Sequence, residues 1–261
     1  MMEYIKHLLI STPLEAPLQY ARESVNYVHL RKHPELRYVF SEPSRISAVL
    51  ERDLKPDSNC IDAGCHIGSF LSQICRICPQ GKHFAVEPVA YKARWLRRKF
   101  PQVTLIQTAL GNQTGEAAFE TMVGKSGFSR LVVKENQANM RSETVRLSLL
   151  DNVIPQDVPI HFLKMDIEGA EYSALQGARN AINRWRPLML FECTKKGLSH
   201  FNVSVREIYE LVIGYGYEIR CPERQLKNDK PMDVSEFAAA QEYPFHALNF
   251  FATPTGRTDR S

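Results

Sequence analysis

From residue 60 onward the chain alternates short apolar runs with amphipathic stretches, and this rhythm leaves few architectures open. Asn59–Ile61, His83–Val86, Val103–Gln107, Ile160–Met165, Pro187–Phe191 and Tyr217–Arg220 are runs of strand length. Helical spacing fills Ser69–Ile77, Tyr91–Phe100, Ala170 to Trp185 and Ser204–Ile213 between them. Strands alternating with helices at this spacing give a parallel sheet covered on both faces. The ending differs. Between Arg220 and Ala247 only Val234–Gln241 reads as a short helix, too little for a crossover, so the last strand, Ala247–Ala252, is expected antiparallel at or near the sheet edge.

No glycine precedes Gly64, and the N-terminal region reads as helical or irregular. Its clearest piece is Ser44–Leu54, with Ile46, Val49, Leu50 and Leu54 at helical spacing, Ser44 as a cap and Pro56 as the stop. The expected organisation is a helical lid or pre-helix over 1–57, a main domain over 58–254 and a frayed polar tail over 255–261. Residues 115–147 read as an excursion of short β-like pieces and polar loop, turning at Gly124, Gly127 and 136–139.

The formal charge of +4 is too small for a dedicated nucleic-acid binder. Leu8–Ile10 is too short for a signal-peptide core, and no run reaches the length of a spanning helix, so a cytoplasmic protein is expected. Cys75 and Cys78 form a CxxC without a second pair, and the six cysteines read as buried free thiols. In the basic helix, Trp95, Leu96 and Phe100 are expected to face the sheet. Lys92, Arg94, Arg97, Arg98 and Lys99 are left as solvated surface.

Ligands of open α/β sheets bind beyond the carboxyl ends of the strands, near the point where strand order reverses. Four such junctions carry an acid: Asp62, Glu87, Asp166 and Glu192. Like charges on one rim oppose one another's ionisation, so the arrangement suits a cationic or hydroxyl-rich ligand. The first loop, Asp62-x-Gly64-x-x-x-Gly68, is glycine-rich but puts a carboxylate where a dinucleotide fingerprint has its first glycine. That charge would repel a pyrophosphate and suits the ammonium and sulfonium of S-adenosylmethionine, while Gly64 and Gly68 permit close backbone approach. Glu87, 25 residues later, is placed to accept ribose hydroxyls. In Lys164-Met165-Asp166-Ile167-Glu168-Gly169-Ala170-Glu171, the helix dipole accounts for Glu171 but not for Asp166 and Glu168.

With these strings in view the sequence resembles the FkbM family of methyltransferases. The matching pieces are Ile61 to Gly68, Val86-Glu87-Pro88, Ala109 to Asn112, Leu149-Leu150-Asp151, Leu163 to Glu171, Gly177-Ala178, Phe191-Glu192 and Leu248 to Phe251, in family order over roughly 58–252. Cys65 and His66 depart from the small or amide residues common there. The resemblance implies the class I methyltransferase (Rossmann-like) fold: a seven-stranded, mostly parallel sheet with the last strand antiparallel and helices on both faces. It implies S-adenosylmethionine held by Asp62, Gly64, His66, Gly68, Glu87, Ala109, Leu110 and Asp166. It also implies O-methylation of a hydroxyl on a sugar, glycan or polyketide-like small molecule.

Methyl transfer from a sulfonium is an in-line displacement, in which alignment is worth about 7–11 kcal/mol and a base roughly 10²–10⁴ in rate. The candidate bases are Asp166 first, then Glu168 and Glu192, with His66 behind them. Mg²⁺ on Asp166, Glu168 and Glu192 is a disfavoured alternative, and no resident metal is assigned. The other readings are an RNA or protein methyltransferase on the same fold, or an inactive interaction module. The expected partner is a hydroxyl acceptor, without nucleic acid or membrane span, and the oligomeric state is not legible.

Overall fold

The computed structural model describes residues 12, 30–122, 129–131 and 140–256. Helix α1 (Arg37–Asp53) leads into β1 (Cys60–Ala63), α2 (Ser69–Ile77), β2 (His83–Val86), α3 (Ala90–Lys99) and β3 (Thr104–Ile106). A β-rich stretch follows, comprising β4 (Ala109–Leu110), β5 (Gly115–Met122), β6 (Ser129–Leu131) and β7 (Met140–Ser148). After α4 (Leu150–Val153) come β8 (Phe162–Met165), α5 (Glu171–Gln176), α6 (Arg179–Trp185), β9 (Leu188–Glu192) and α7 (Lys195–Ser199). The chain closes with α8 (Val205–Gly214), β10 (Tyr217–Arg220), α9 (Pro222–Lys227), α10 (Val234–Ala240) and β11 (Asn249–Pro254).

The main sheet has seven strands in the order β3-β2-β1-β8-β9-β11-β10. Pairings from β3 through β9 are parallel, and β11 runs antiparallel between β9 and β10. The last strand is therefore inserted one place in from the edge. This is the class I methyltransferase topology, and strand order reverses between β1 and β8.

Alternation along the strands sorts side chains into two layers. Cys60, Phe162, Leu188 and Leu190 face α1 and α2, meeting Val49, Leu50 and Ile74. Ile61, Leu163, Met165 and Phe191 face the other way, against Leu175 of α5, Ile182 of α6, Val212 of α8 and Phe237 of α10. Alpha3 lies beside α2, with Leu96 and Phe100 on Leu71.

Three local departures from expectation have physical causes. Alpha1 begins seven residues before Ser44, which therefore does not cap it, and the helix runs through Pro43. Proline removes a helical N–H, so a reading from local signals starts the helix after it. What holds the extra turns is tertiary. Buried Glu42 accepts hydrogen bonds from Leu248 N, Asn249 N and Asn249 Nδ2 at 2.9, 3.0 and 3.0 Å. The helix expected from Ala170 to Trp185 is broken at Gly177, where a Cβ would lie 2.0 Å from the Gly111 carbonyl oxygen. Asp151 then receives the N–H groups of Asn180 and Ala181 and opens α6.

The 115–147 excursion is not short pieces and loop. Beta5 and β7 pair antiparallel from Gly115–Leu147 to Met122–Met140 and form a second sheet ordered β4-β7-β5-β6. The turns expected at Gly124, Gly127 and 136–139, and the tail beyond 256, lie outside the described residues. Among the described residues no helix is long and apolar enough to cross a membrane. All six cysteines are free thiols.

Replacing Glu42 with Ala strands two backbone amides and an amide side chain. It should destabilise the fold by about 2–4 kcal/mol in urea unfolding. A change below about 0.5 kcal/mol would mean that α1 is docked by its apolar face alone.

Candidate active site

The reversal between β1 and β8 sets two charged side chains abreast. Asp62 is the direct neighbour of Lys164 in the parallel register, so both project from the same face of the sheet. Asp166, two residues beyond Lys164, shares that face. Lys164 Nζ lies 3.4 Å from Asp62 Oδ1 and 3.1 Å from Asp166 Oδ2. The Phe70 ring of α2 closes another side, with its centroid 5.1 Å from Nζ. Burial alone would lower the Lys164 pKa, but Asp166 and Asp62 outweigh it and hold the ammonium charged above its usual range. Burial pushes Asp62 upward while Lys164 pulls it back. The Asp62 side chain is 0% exposed and both its oxygens lack a hydrogen bond, whereas Asp166 is 39% exposed.

Above this trio a cleft of about 250 Å³ opens at the carboxyl ends of β1, β2 and β8. Gly64, His66, Glu87, Asp166 and Glu168 line it. Ala109 and Leu110 of β4 and Phe119 of β5 supply an apolar wall. Gly64 has φ +78°, and a Cβ there would sit 1.8 Å from the Asp166 carbonyl oxygen, so only glycine lets the β1 loop pass under Asp166. Glu87 is buried, and its two oxygens accept from His66 N and Val89 N, each at 3.0 Å. Burial raises its pKa to about 7 despite Lys92 nearby. Lys92 itself is 2% exposed, with its pKa lowered by burial and raised again by Glu87, Cys65, Glu168 and Glu143.

The loop after β8 is bent by left-handed residues, Glu168 at φ 59° and Gly169 at φ 101°. A Cβ on Gly169 would lie 2.3 Å from the Gly197 carbonyl oxygen. Buried Glu171 stitches the loop by accepting the Ile167 N–H at 2.8 Å. Burial raises Glu171 to about 8. Glu192, at the end of β9, is raised to about 9 by burial and by Asp166, Glu171 and Glu168.

Residues 62–219 match the sequence model of the methyltransferase FkbM domain. The chain belongs to the FkbM methyltransferase family. Among solved structures it is similar to the FkbM methyltransferase of Methylobacillus flagellatus KT, at 20% identity and TM-score 0.46. That alignment covers 64% of this chain and 40% of the other, so the chain matches less than half the length of that relative. The plantazolicin methyltransferase BpumL, solved with a triazolic desmethylPZN analog and SAH, aligns at 10% identity and TM-score 0.46 over 96% of both chains. The fibrillarin pre-rRNA processing protein of Methanococcus jannaschii aligns at 13% identity and TM-score 0.44, over 81% of this chain and 74% of that one. No curated protein matches the chain.

Within this FkbM domain the residues expected at the site divide into two groups. Gly64, His66, Glu87, Ala109, Leu110, Asp166 and Glu168 meet at the cleft. Asp62, Gly68 and Glu192 are not among its lining residues. Asp62 points along the sheet to Lys164, because a strand residue projects across the sheet face and not over its end. Gly68 precedes α2, with φ +90°, and a Cβ there would strike Phe100 at 2.4 Å, so it sets helix packing. Glu192 is held above the usual carboxylate range by burial. Among the described residues no group of three or more His, Cys, Asp or Glu is disposed to hold a metal.

Sequence reasoning gives no site role to Lys164, Lys92 or Phe119. Lys164 interrupts an apolar strand two residues before Asp166, a spacing that marks a shared face. Lys92 precedes Leu96 by four and Phe100 by eight residues and so lies on the core stripe of α3, not on its solvated side. The expectation of solvated surface holds for Arg94, Arg97 and Arg98 and fails for Lys92.

Glu87, Glu171 and Glu192 all titrate above the ordinary value of 4.5, at about 7, 8 and 9. Between those limits the folded chain binds more protons than the unfolded one, so stability must fall as pH rises. The melting temperature of the ligand-free protein should therefore decline steadily from about pH 6 to about pH 9. A flat or rising profile over that window would contradict the burial of these carboxylates.

Proposed function

We propose that this FkbM domain transfers the methyl group of S-adenosylmethionine to a hydroxyl of a sugar, glycan or polyketide-like small molecule. The observation that carries the reading is the pairing in one cleft of Glu87 with Asp166, across an apolar wall of Ala109, Leu110 and Phe119. A nucleoside needs that wall for its base and a carboxylate for its ribose diol, and a sulfonium needs negative charge without a metal-like point cation beside it. The donor set therefore fits S-adenosylmethionine, which supplies an activated methyl group for in-line displacement.

Each residue then has a task set by its place. Glu87 accepts the ribose hydroxyls, its orientation fixed by the amides of His66 and Val89. Gly64 and His66 bring loop backbone to the cleft floor. Asp166 is the base: it is partly exposed, and Lys164 fixes its carboxylate from below. Glu168, on the same loop, faces the cleft and is the second candidate. Glu192 is the third candidate, since it does not line the cleft and burial raises its pKa to about 9. Asp62 contributes charge from beneath the cleft, without touching the donor.

Titration calorimetry with S-adenosylmethionine and S-adenosylhomocysteine tests the donor. Glu87→Gln should weaken both ligands about 10–100-fold, the worth of hydrogen bonds to a charged group. Asp166→Asn should weaken donor binding by no more than about tenfold yet lose about 10²–10⁴ in turnover. Isotopic methyl from labelled donor, offered to panels of polyols, glycans and macrolides beside RNA and protein, tests the acceptor. Wild-type protein that fails to bind S-adenosylmethionine, or label that enters RNA or protein, overturns the reading.

A further inference from the structure

Asp62, Lys164 and Asp166 form a continuous chain of charge that runs from the sealed body of the sheet to the cleft. Asp62 has no exposed surface and does not line the cleft. The cation against it is Lys164, at 3.4 Å, itself 7% exposed. Lys164 in turn reaches Asp166 at 3.1 Å, the one member that meets the cleft. Two carboxylates and one ammonium leave a single net negative charge, and the geometry presents it at Asp166.

We propose that Lys164 is the positioning residue of the methyl-transfer site, which fixes Asp166 at the cleft, and that Asp62 acts on the donor only through Lys164. This rests on the reading of the cleft as a donor site. Two observations support it. The pleat gives Lys164 and Asp166 one face and the β1–β8 register sets Asp62 beside them, so the chain is built by backbone and not by rotamer choice. The Phe70 ring, 5.1 Å from Nζ, leaves the ammonium between two carboxylates and an aromatic face.

The groups that face Lys164 are Asp62 from β1, Cys65 from the loop that follows, Asp166 and Glu192 from the ends of β8 and β9, and the Phe70 ring. Removing the ammonium leaves buried Asp62 without its cation, so that its carboxyl holds a proton at the lower end of the pH range. The charge met by a cationic ligand then depends on pH. Raising pH removes that proton, adds a negative charge beneath the cleft and strengthens binding of the sulfonium.

Calorimetric dissociation constants for S-adenosylmethionine, measured from about pH 6 to about pH 9 with melting curves as a control for folding, test the chain. Lys164→Met should weaken binding about tenfold and make it tighten as pH rises, while Lys164→Arg stays within about threefold of wild type with the wild-type pH profile. Asp62→Asn should also weaken binding about tenfold, yet add nothing in the Lys164→Met background. Equal losses from Asp62→Asn in both backgrounds, or a Lys164→Met protein with wild-type affinity and profile, overturn the inference. If Lys164→Met does not fold, Asp62→Asn decides alone, and unchanged donor binding sinks it. Failure of the wild type to bind the donor counts instead against the cleft assignment.

Discussion

One ammonium between two carboxylates holds the centre of this molecule. Lys164 occupies the strand pair β1–β8, where the two halves of the sheet meet, and a charge there must be neutralised or the pair cannot close. A buried ion pair is not a general source of stability, since the desolvation of both ions offsets most of their attraction. Its effect here is conditional. With Lys164 in place each carboxylate has a cation beside it, and without Lys164 buried Asp62 is an uncompensated charge between apolar layers. The layers themselves are ordinary: Cys60, Phe162 and Leu190 beneath, Ile61, Leu163 and Phe191 on the far face. The unusual expenditure is the polar row at the carboxyl ends of the strands, and that is where a ligand belongs.

The remaining carboxylates of the site follow a second rule. Burial raises Glu87, Glu171 and Glu192 to about 7, 8 and 9, whereas Asp166 is partly exposed and tied to a cation. Environments that separate otherwise similar acids also separate their roles. Glu171 holds a loop by its Ile167 contact, Glu87 holds the His66 and Val89 amides at the cleft, and Asp166 combines a cation partner with access to the cleft. The cluster of acids is thus a graded set and not a uniform negative rim.

Much of this was legible in the sequence, and what was not had a physical reason for being hidden. Strands β2 and β10 and helix α2 have the bounds their apolar spacing predicts, because each is short, flanked by turn residues and packed by its own periodicity. Alpha1 was cut short because the contact that extends it past Pro43 joins Glu42 to Leu248 and Asn249, some two hundred residues away. The carboxylates at the ends of β1, β2 and β8 were found by position, yet position could not say which way Asp62 points. That depended on the partner strand, and only the register of Asp62 with Lys164 decides it. Lys92 was lost to its neighbours: four exposed or half-exposed basic residues on one helix mask the single buried one.

The second sheet is the part that local reasoning could least recover. Beta7 carries the polar run Arg141-Ser142-Glu143-Thr144 and β5 the small pair Ala117-Ala118, so neither shows a clean alternation, and eight paired positions across a long connection are what make them strands. Beta4 joins them in parallel with β7 and places Ala109 and Leu110 at the cleft, while the β5 pairing places Phe119 opposite Glu87 and Asp166 in its lining. Val89, Val145 and Leu147 pack behind Phe119 and Ala109, which anchors that wall to the loop after Glu87. The main sheet therefore fixes the charges and the smaller sheet fixes the apolar wall. The wall can therefore change without disturbing Lys164 and its partners, since no member of the chain Asp62, Lys164 and Asp166 belongs to the smaller sheet.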